Sequence, residues 1–320
     1  TKKVQFKRGI NPKQILGGIL PMLNTNTYKL EFQDMLRNQS TSNYMLKEAN
    51  SKISDGYLIP ESDVKIFNKA MEEDCLFRKY ATKTAVNWAE GTIVAVCSTG
   101  EAKVTGEGML YPTDSDDFKK ITYDSYKIAS LTKLLLRFVK DTKFDLDTYL
   151  MRDFARRFAR AEEKILLTGT GIEEPLGLLN SADSISSAET GKISFDDVAT
   201  LYFSLEPEYR KHAIWVMSDE TAFSLRMEKD QSGYPLWQED HDTLFGRPVV
   251  TSPYMPAISS GAKPIIFGDL SYFWLLQRQE LTIKPLFELF SNKGQVGYAA
   301  YERLDGKLVR QDAVRTLTVK

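Results

Sequence analysis

The residues that most often carry chemistry are scarce in this 320-residue chain: two cysteines, Cys75 and Cys97, and two histidines, His212 and His241. So small a thiol count argues against a disulfide scaffold and for a reduced, cytosolic environment at synthesis. Neither histidine stands at metal-ligand spacing from a cysteine or from the other histidine. His241 falls in Glu239-Asp240-His241-Asp242, which reads as a solvated loop and not as a cation site. Cys75 adjoins Leu76 and Phe77, and Cys97 ends a predicted strand, so both read as core residues. A surplus of one charge is also lacking, since 42 basic and 43 acidic residues leave a net charge of −1. Dedicated nucleic-acid condensation needs a basic surplus or a clear basic stripe. A surface that merely tolerates nucleic acid remains compatible with this balance. No apolar run approaches the roughly 18–20 residues of a membrane span. The early apolar cluster from Ile15 to Leu23 is broken by Gly17, Gly18 and Pro21 and lacks a small-residue cleavage pattern.

Catalytic patterns are missing as well. Gly169-Thr170-Gly171 would need a third glycine to make a dinucleotide fingerprint, and that position is Glu174. The stretch also follows a predicted helix, where the fingerprint follows a strand. No Gly-Lys-Ser/Thr phosphate loop and no Gly-x-Ser-x-Gly elbow occur. Glu173-Glu174 and Asp116-Asp117 are neighbours in sequence, which does not place two carboxylates around one bond. Both pairs read as surface. The expectation is a chain that is not an enzyme, with no catalytic residue, cofactor or metal.

What is present is a body large enough for a sizeable core: 42% hydrophobic and 11% aromatic residues, over a length that suggests about two domains. Residues 1–54 begin with Lys2, Lys3, Lys7 and Arg8 and turn Asn-, Ser- and Thr-rich around one amphipathic helix near Tyr28–Leu36. They read as an arm that orders on partners. Asp55-Gly56-Tyr57-Leu58-Ile59-Pro60 opens compact structure, and a helix over about 62–73 follows with Ser62 as its cap. Strands are predicted at Val86–Trp88, Thr92–Val96 and Lys120–Ala129. The glycine-bearing stretch from Ser98 to Asp117 between them is a hairpin with little of its own to bury.

The clearest helix covers Leu146–Leu167, with Leu146, Leu150, Phe154, Phe158, Ala161 and Ile165 at three- and four-residue steps. Asp145 suits its cap, Asp147 its dipole and Gly169 its C-terminal left-handed position. The outer face carries Arg152, Asp153, Arg156, Arg157, Arg160, Glu162, Glu163 and Lys164. It reads as solvated and laced with salt bridges, in preference to nucleic-acid contact. Beyond it, Leu166–Asn180 reads as a structural corner. From Ser194 the pattern is α/β. A capping box at Ser194-Phe195-Asp196-Asp197 opens a helix, Ala213–Met217 is a strand, and Ser218 caps a second helix. Further strands are predicted at Gly246–Val250, Pro264–Asp269 and Phe273–Leu276. Asp230–Gly233 is a turn, and two C-terminal strands flank Leu304-Asp305-Gly306-Lys307.

Four stretches taken in order resemble the tailed-phage major capsid protein family, with its Hong Kong 97 type fold. They are Gly56–Glu61; Leu167, Gly169, Gly171, Pro175 and Gly177–Asn180; Leu244–Val250; and Phe267-Gly268-Asp269. The resemblance implies an α+β fold with an N-terminal arm (1–54), a peripheral domain carrying a long spine helix (55–85 and 129–194) and an extended β-hairpin loop (86–128). It also implies an axial domain (195–300) and C-terminal strands (301–320). Gly169, Gly171, Pro175, Gly177 and Asn180 would form the corner. Glu101, Lys103, Glu107, Tyr111, Pro112, Asp114, Asp116 and Asp117 would form the inter-subunit loop.

The function implied is self-assembly through pentamers and hexamers into an icosahedral phage head around double-stranded DNA, held by non-specific contact. A portal protein would be a partner, with a scaffolding protein or prohead protease as further candidates and no membrane. Assembly would take place in the host cytoplasm and the product would be the virion. Members that cross-link carry a lysine before the loop proline. Here that position is Tyr111, so Lys–Asn cross-linking through it is not expected. Residues 1–54 are also shorter than the cleaved scaffolding region of some members. An encapsulin-like nanocompartment and, from another class, a small-oligomer α/β enzyme are the competing readings.

Overall fold

The computed structural model describes residues 26–38, 57–98, 104, 117–141, 143–229, 235–237 and 242–320. Helix α1 (Asn26–Leu36) and strand β1 (Tyr57–Leu58) precede helices α2 (Glu61–Asp74) and α3 (Leu76–Tyr80). Strands β2 (Thr82–Ala85), β3 (Gly91–Ser98), β4 (Asp117–Tyr123) and β5 (Tyr126–Leu135) follow. Short α4 (Leu136–Lys140) leads to long α5 (Leu146–Thr168), then α6 (Leu178–Ser181) and β6 (Asp183–Ser186). The remainder is α7 (Phe195–Ser204), α8 (Pro207–Arg210), β7 (Ile214–Met217), α9 (Asp219–Met227), β8 (Thr243–Leu244), β9 (Arg247–Thr251), β10 (Ile265–Gly268), β11 (Phe273–Leu286), β12 (Gln295–Leu308) and β13 (Val314–Thr318). The chain forms two compact units. One draws on described residues of Thr1–Asp74, Lys127–Arg160 and Arg278–Arg303, the other on those of Cys75–Tyr126, Ala161–Gln277 and Leu304–Lys320.

In the first unit the sheet runs in the order β1-β11-β12-β5, with Tyr57 opposite Ile283 and Leu58 opposite Thr282. The four-residue apolar step of α5 buries Leu146, Leu150, Phe154 and Phe158, and Phe67 of α2 meets Phe158 edge to face at 6.3 Å. Asp145 caps α5 by accepting from the Thr148 amide at 3.3 Å. Asp147 lies inward and accepts from Gln33 Nε2 at 2.6 Å; burial pushes its carboxyl above the usual range, with the Asp145 carboxyl adding to the shift. Helix α1 is tied down at both ends: Tyr28 donates to the Leu58 carbonyl, and Arg37 donates to the carbonyls of Val139, Asp141 and Phe144. Helix α2 starts two residues earlier than the Ser62 cap implies. The Pro60 carbonyl accepts from the amides of Asp63 and Val64, so Ser62 sits inside the first turn.

The second unit holds a six-stranded mixed sheet in the order β6-β13-β10-β7-β9-β8. Its central strands β7 and β10 are unbroken apolar runs, Ile-Trp-Val-Met and Ile-Ile-Phe-Gly, because both of their faces are covered. Trp215 and Phe267 stack at 4.1 Å within this core. Ser194 and Asp197 complete the expected capping box of α7, and Ser218 accepts from the Thr221 amide to cap α9. Between β8 and β9, Phe245 and Gly246 both have positive φ, 52° and 69°, as a two-residue hairpin turn with the right twist requires. Left-handed backbone is costly for a bulky residue. The Phe245 ring offsets it by packing on Phe195 and Tyr202 at 5.3 and 5.2 Å.

Several strand expectations shift. The strand expected at Val86–Trp88 lies instead at Thr82–Ala85, the segment in parallel register with Trp274–Gln277 of β11. The single strand expected over Lys120–Ala129 is two, parted at Asp124-Ser125, where the Asp124 amide donates to Asp305. β12 continues through Asp305-Gly306, which had read as a turn. Asp305 is buried and paired with Lys307 at 3.1 Å, and a side chain at Gly306 would strike Leu166 and Phe273. The expected turn at Asp230–Gly233 lies outside the described residues.

Candidate functional site

Helix α5 leads into the corner over a buried charge cluster that its sequence does not announce. Glu162 and Glu163, expected on the solvated face, are buried. Arg78 of α3, itself 3% exposed, grips Glu162 with both ends of its guanidinium at 2.7 and 2.5 Å. Glu163 accepts from the Leu76 amide at 3.1 Å and from the Ser252 hydroxyl at 2.5 Å. A hint was available. Positions 162 and 163 continue the buried series Ala155, Ala159, Leu166 at four- and seven-residue spacing. Cys75 lies against this cluster, and burial, reinforced by the Glu162 charge, pushes its thiol far above the usual range. That removes the thiolate a nucleophile would need.

Past Thr168 the chain turns back on itself. Thr170 and Leu176 bridge, and the Gly177 amide donates to the Gly169 carbonyl at 2.9 Å. Asn180 Nδ2 donates to the same carbonyl at 2.8 Å, and Glu174 accepts from the Thr170 amide and hydroxyl at 2.9 and 3.0 Å. Pro175 is buried within this loop. Gly169 is not in the left-handed conformation expected of a helix-ending glycine, which Gly171 adopts at φ 81°. Glycine is needed at 169 because the backbones crowd. A Cβ there would lie 2.2 Å from the Pro175 carbonyl oxygen and 2.4 Å from that of Ile165. At Gly177 a Cβ would meet the Gly169 nitrogen at 2.5 Å and the Leu167 oxygen at 2.6 Å. Gly169, Gly171, Pro175, Gly177 and Asn180 thus gather in one small loop.

The hairpin is built differently. Among the described residues β3 and β4 pair only with each other, from Gly91 opposite Tyr123 to Val96 opposite Phe118, with an irregularity before Ser98 meets Asp117. Trp88 ahead of it is 69% exposed and Val94 within it 55% exposed. Of the predicted loop residues, Asp117 opens β4. Glu101, Lys103, Glu107, Tyr111, Pro112, Asp114 and Asp116 lie outside the described residues. The base of β4 and the corner share an open groove of about 350 Å3, where Lys119, Lys120 and Lys307 line one cavity with Leu176 and Asn180.

Among the described residues no three His, Cys, Asp or Glu side chains group as a metal site would require, and no helix is long and apolar enough to cross a membrane. His212 is exposed, and His241 lies outside the described residues.

Comparison with known proteins places this architecture. The sequence profile described as "Phage capsid family" matches residues 55–319. A capsid polyprotein of Pseudomonas phage PAJU2 is 25% identical over 183 residues, which are 53% of this chain and 27% of that protein. The chain therefore spans only about a quarter of that relative. Among solved structures, the capsid of a native GTA particle matches with a TM-score of 0.64 at 26% identity, covering 76% of this chain and 89% of the other. The capsid of an empty GTA particle matches with a TM-score of 0.66 at 26% identity, over 77% and 90% of the two chains. A structure from Microbacterium phage Oxtober96, at 14% identity and a TM-score of 0.58, shares the fold over 77% and 91%. The α+β, Hong Kong 97 type fold expected from the sequence is thereby shown, and the chain belongs to the phage capsid family.

Proposed function

We propose that this chain is a major capsid subunit that assembles through pentamers and hexamers into an icosahedral head enclosing double-stranded DNA. The observation that carries the reading is the family match over residues 55–319, which spans both compact units. In this reading 86–128 is an extended loop laid over a neighbouring subunit. Residues 55–85 and 129–194 form the peripheral domain with α5 as its spine, 195–300 the axial domain, 1–54 an arm and 301–320 closing strands. Val94 on the two-stranded ribbon and Trp88 just ahead of it support the loop assignment, since exposed apolar side chains there gain burial when a neighbouring copy covers them. The corner fixes how the chain leaves the spine. Contacts between unlike patches close into rings when the rotation permits, which is the route from such a subunit to capsomers.

The partners that follow are further copies of the chain, a portal protein, a scaffolding protein or prohead protease, and packaged DNA. Assembly takes place in the host cytoplasm and the product is part of the virion. The curated relative is a phage capsid polyprotein, which ranks an encapsulin-like nanocompartment second. Negative-stain electron microscopy of the purified recombinant chain after size-exclusion chromatography tests the reading. Closed shells or capsomer rings are expected. A monodisperse dimer or tetramer that never assembles, even with crowding or added scaffold, overturns it.

A further inference from the structure

The outer face of α5 carries Arg152, Arg156 and Arg160, all exposed. Each four-residue step advances about 6 Å along the helix and about 40° around it, so the three cations form one row about 12 Å long. The carboxylates of α5 itself do not lace this face. Glu162 and Glu163 are buried, and Asp153 is committed to Arg157 at 3.0 Å and to the Thr132 hydroxyl at 2.7 Å. Among the described residues no ion pair or hydrogen bond engages the side chains of Arg152, Arg156 or Arg160. Three exposed guanidinium groups without an ion pair thus stand in a row on a chain whose net charge is −1. The groove beside Arg152 and Arg156 holds Glu73 and Asp74 together with Lys69, so it is electrically mixed.

We infer that the Arg152, Arg156 and Arg160 row is a contact surface for the phosphate backbone of duplex DNA. A duplex offers one phosphate per ~3.4 Å along each strand, dense enough to meet cations spaced at ~6 Å without any demand on register or sequence. Guanidinium groups bond phosphate oxygens in pairs and give up hydration readily. The surface rests on the capsid reading above, which supplies DNA as the enclosed polymer, and it names where that polymer touches the wall.

The test is fluorescence anisotropy of the full chain with a mixed-sequence duplex across a salt series, with the same preparations imaged for shells. Each phosphate contact contributes ~0.9 to the slope of log affinity against log salt. The triple variant R152Q/R156Q/R160Q should therefore lose about 2.7 from that slope. Between about 50 and 200 mM salt the wild type should weaken roughly 40-fold more than the variant. The triple lysine variant should keep the slope, and R157Q, whose cation is already paired, should leave it unchanged. A wild-type slope in the triple glutamine variant overturns the inference, as does a wild-type preference for polyglutamate of equal charge over the duplex. Either result alongside normal shells removes this surface alone. Failure of the wild type to assemble removes the capsid reading.

Discussion

The corner at 168–181 contains a glycine-bearing stretch and the hairpin strands at 91–98 and 117–123 flank one, yet they satisfy themselves in different places. The corner spends its glycines on close backbone approach and points its hydrogen bonds inward, with Gly169, Gly177 and Asn180 bonded to one another. Among the described residues β3 pairs with β4 alone, and Trp88 ahead of the ribbon and Val94 within it are exposed. A segment that finishes its bonding within its own chain can be stiff before assembly begins. A ribbon with unspent apolar area gains its stability from whatever it comes to lie against. The contrast predicts that damage to the corner registers in the folding of the subunit and damage to the hairpin in assembly.

The largest effect is expected beneath the corner. Arg78→Ala strands the buried Glu162 charge and should lower unfolding free energy by about 3–5 kcal/mol, read from the urea midpoint. Replacing Arg78 and Glu162 together by methionine should recover most of that loss, because the penalty comes from the orphaned charge. A small effect from Arg78→Ala alone would mean that water reaches the pair.

Next comes Gly177→Ala, whose Cβ would fall 2.5–2.7 Å from backbone atoms of Gly169 and Leu167. Those neighbours cannot swing aside as a side chain would, so a loss of about 1–3 kcal/mol is expected. Soluble yield and thermal midpoint check it. An unchanged midpoint would show that the corner gives, and the comparison with the hairpin would lose its stiff half.

How much of this was readable beforehand depends on range. The cap at Ser194, the cap at Ser218 and the extent of α5 rest on partners within four residues, and the sequence pattern carries them. The order of landmarks around Leu167–Asn180 was likewise readable through resemblance. Glu162 and Glu163 read as solvated because their partners are distant: Arg78 stands 84 residues from Glu162, and Leu76 and Ser252 stand 87 and 89 residues from Glu163. Asp305-Gly306 read as a turn by local chemistry. It is strand because Asp124, 181 residues distant, donates to Asp305, and because Leu166 and Phe273 need the space at Gly306. The sequence pattern gives Gly169 a left-handed role that the backbone does not show, since the crowding by Pro175 that demands glycine there is invisible until the loop closes.

Asp305 also ties the foot of the hairpin, through the Asp124 amide, and gives the comparison a pH dependence. Burial raises its folded carboxyl pKa, against the pull of the Asp124 amide and Lys307. The folded state therefore holds this proton more tightly than the unfolded chain does. The stabilisation is complete below the unfolded carboxylate value of ~3.9 and is lost as pH rises through the folded pKa. Asp305→Asn keeps a carbonyl for the Asp124 amide and removes the titration. Unfolding free energy measured across the acid range into neutrality should fall with pH less steeply in the variant than in the wild type. Parallel curves would mean that Asp305 titrates alike in both states.

The smallest effect on the subunit and the most direct trial of the contrast come from Trp88→Ser. The indole is 69% exposed, so its removal should change unfolding free energy by no more than about 0.5 kcal/mol. If the ribbon's unspent apolar surface is what a neighbouring copy covers, the same change should sharply reduce the yield of closed shells while the subunit keeps its thermal midpoint. Gly177→Ala should do the reverse, lowering the midpoint first and shell yield only in step with folded protein. Deletion of residues 101–117 extends the trial, leaving a folded subunit that fails to form stable shells. Normal shells from both the Trp88 variant and the deletion would detach the hairpin from assembly and leave its exposed side chains without a role.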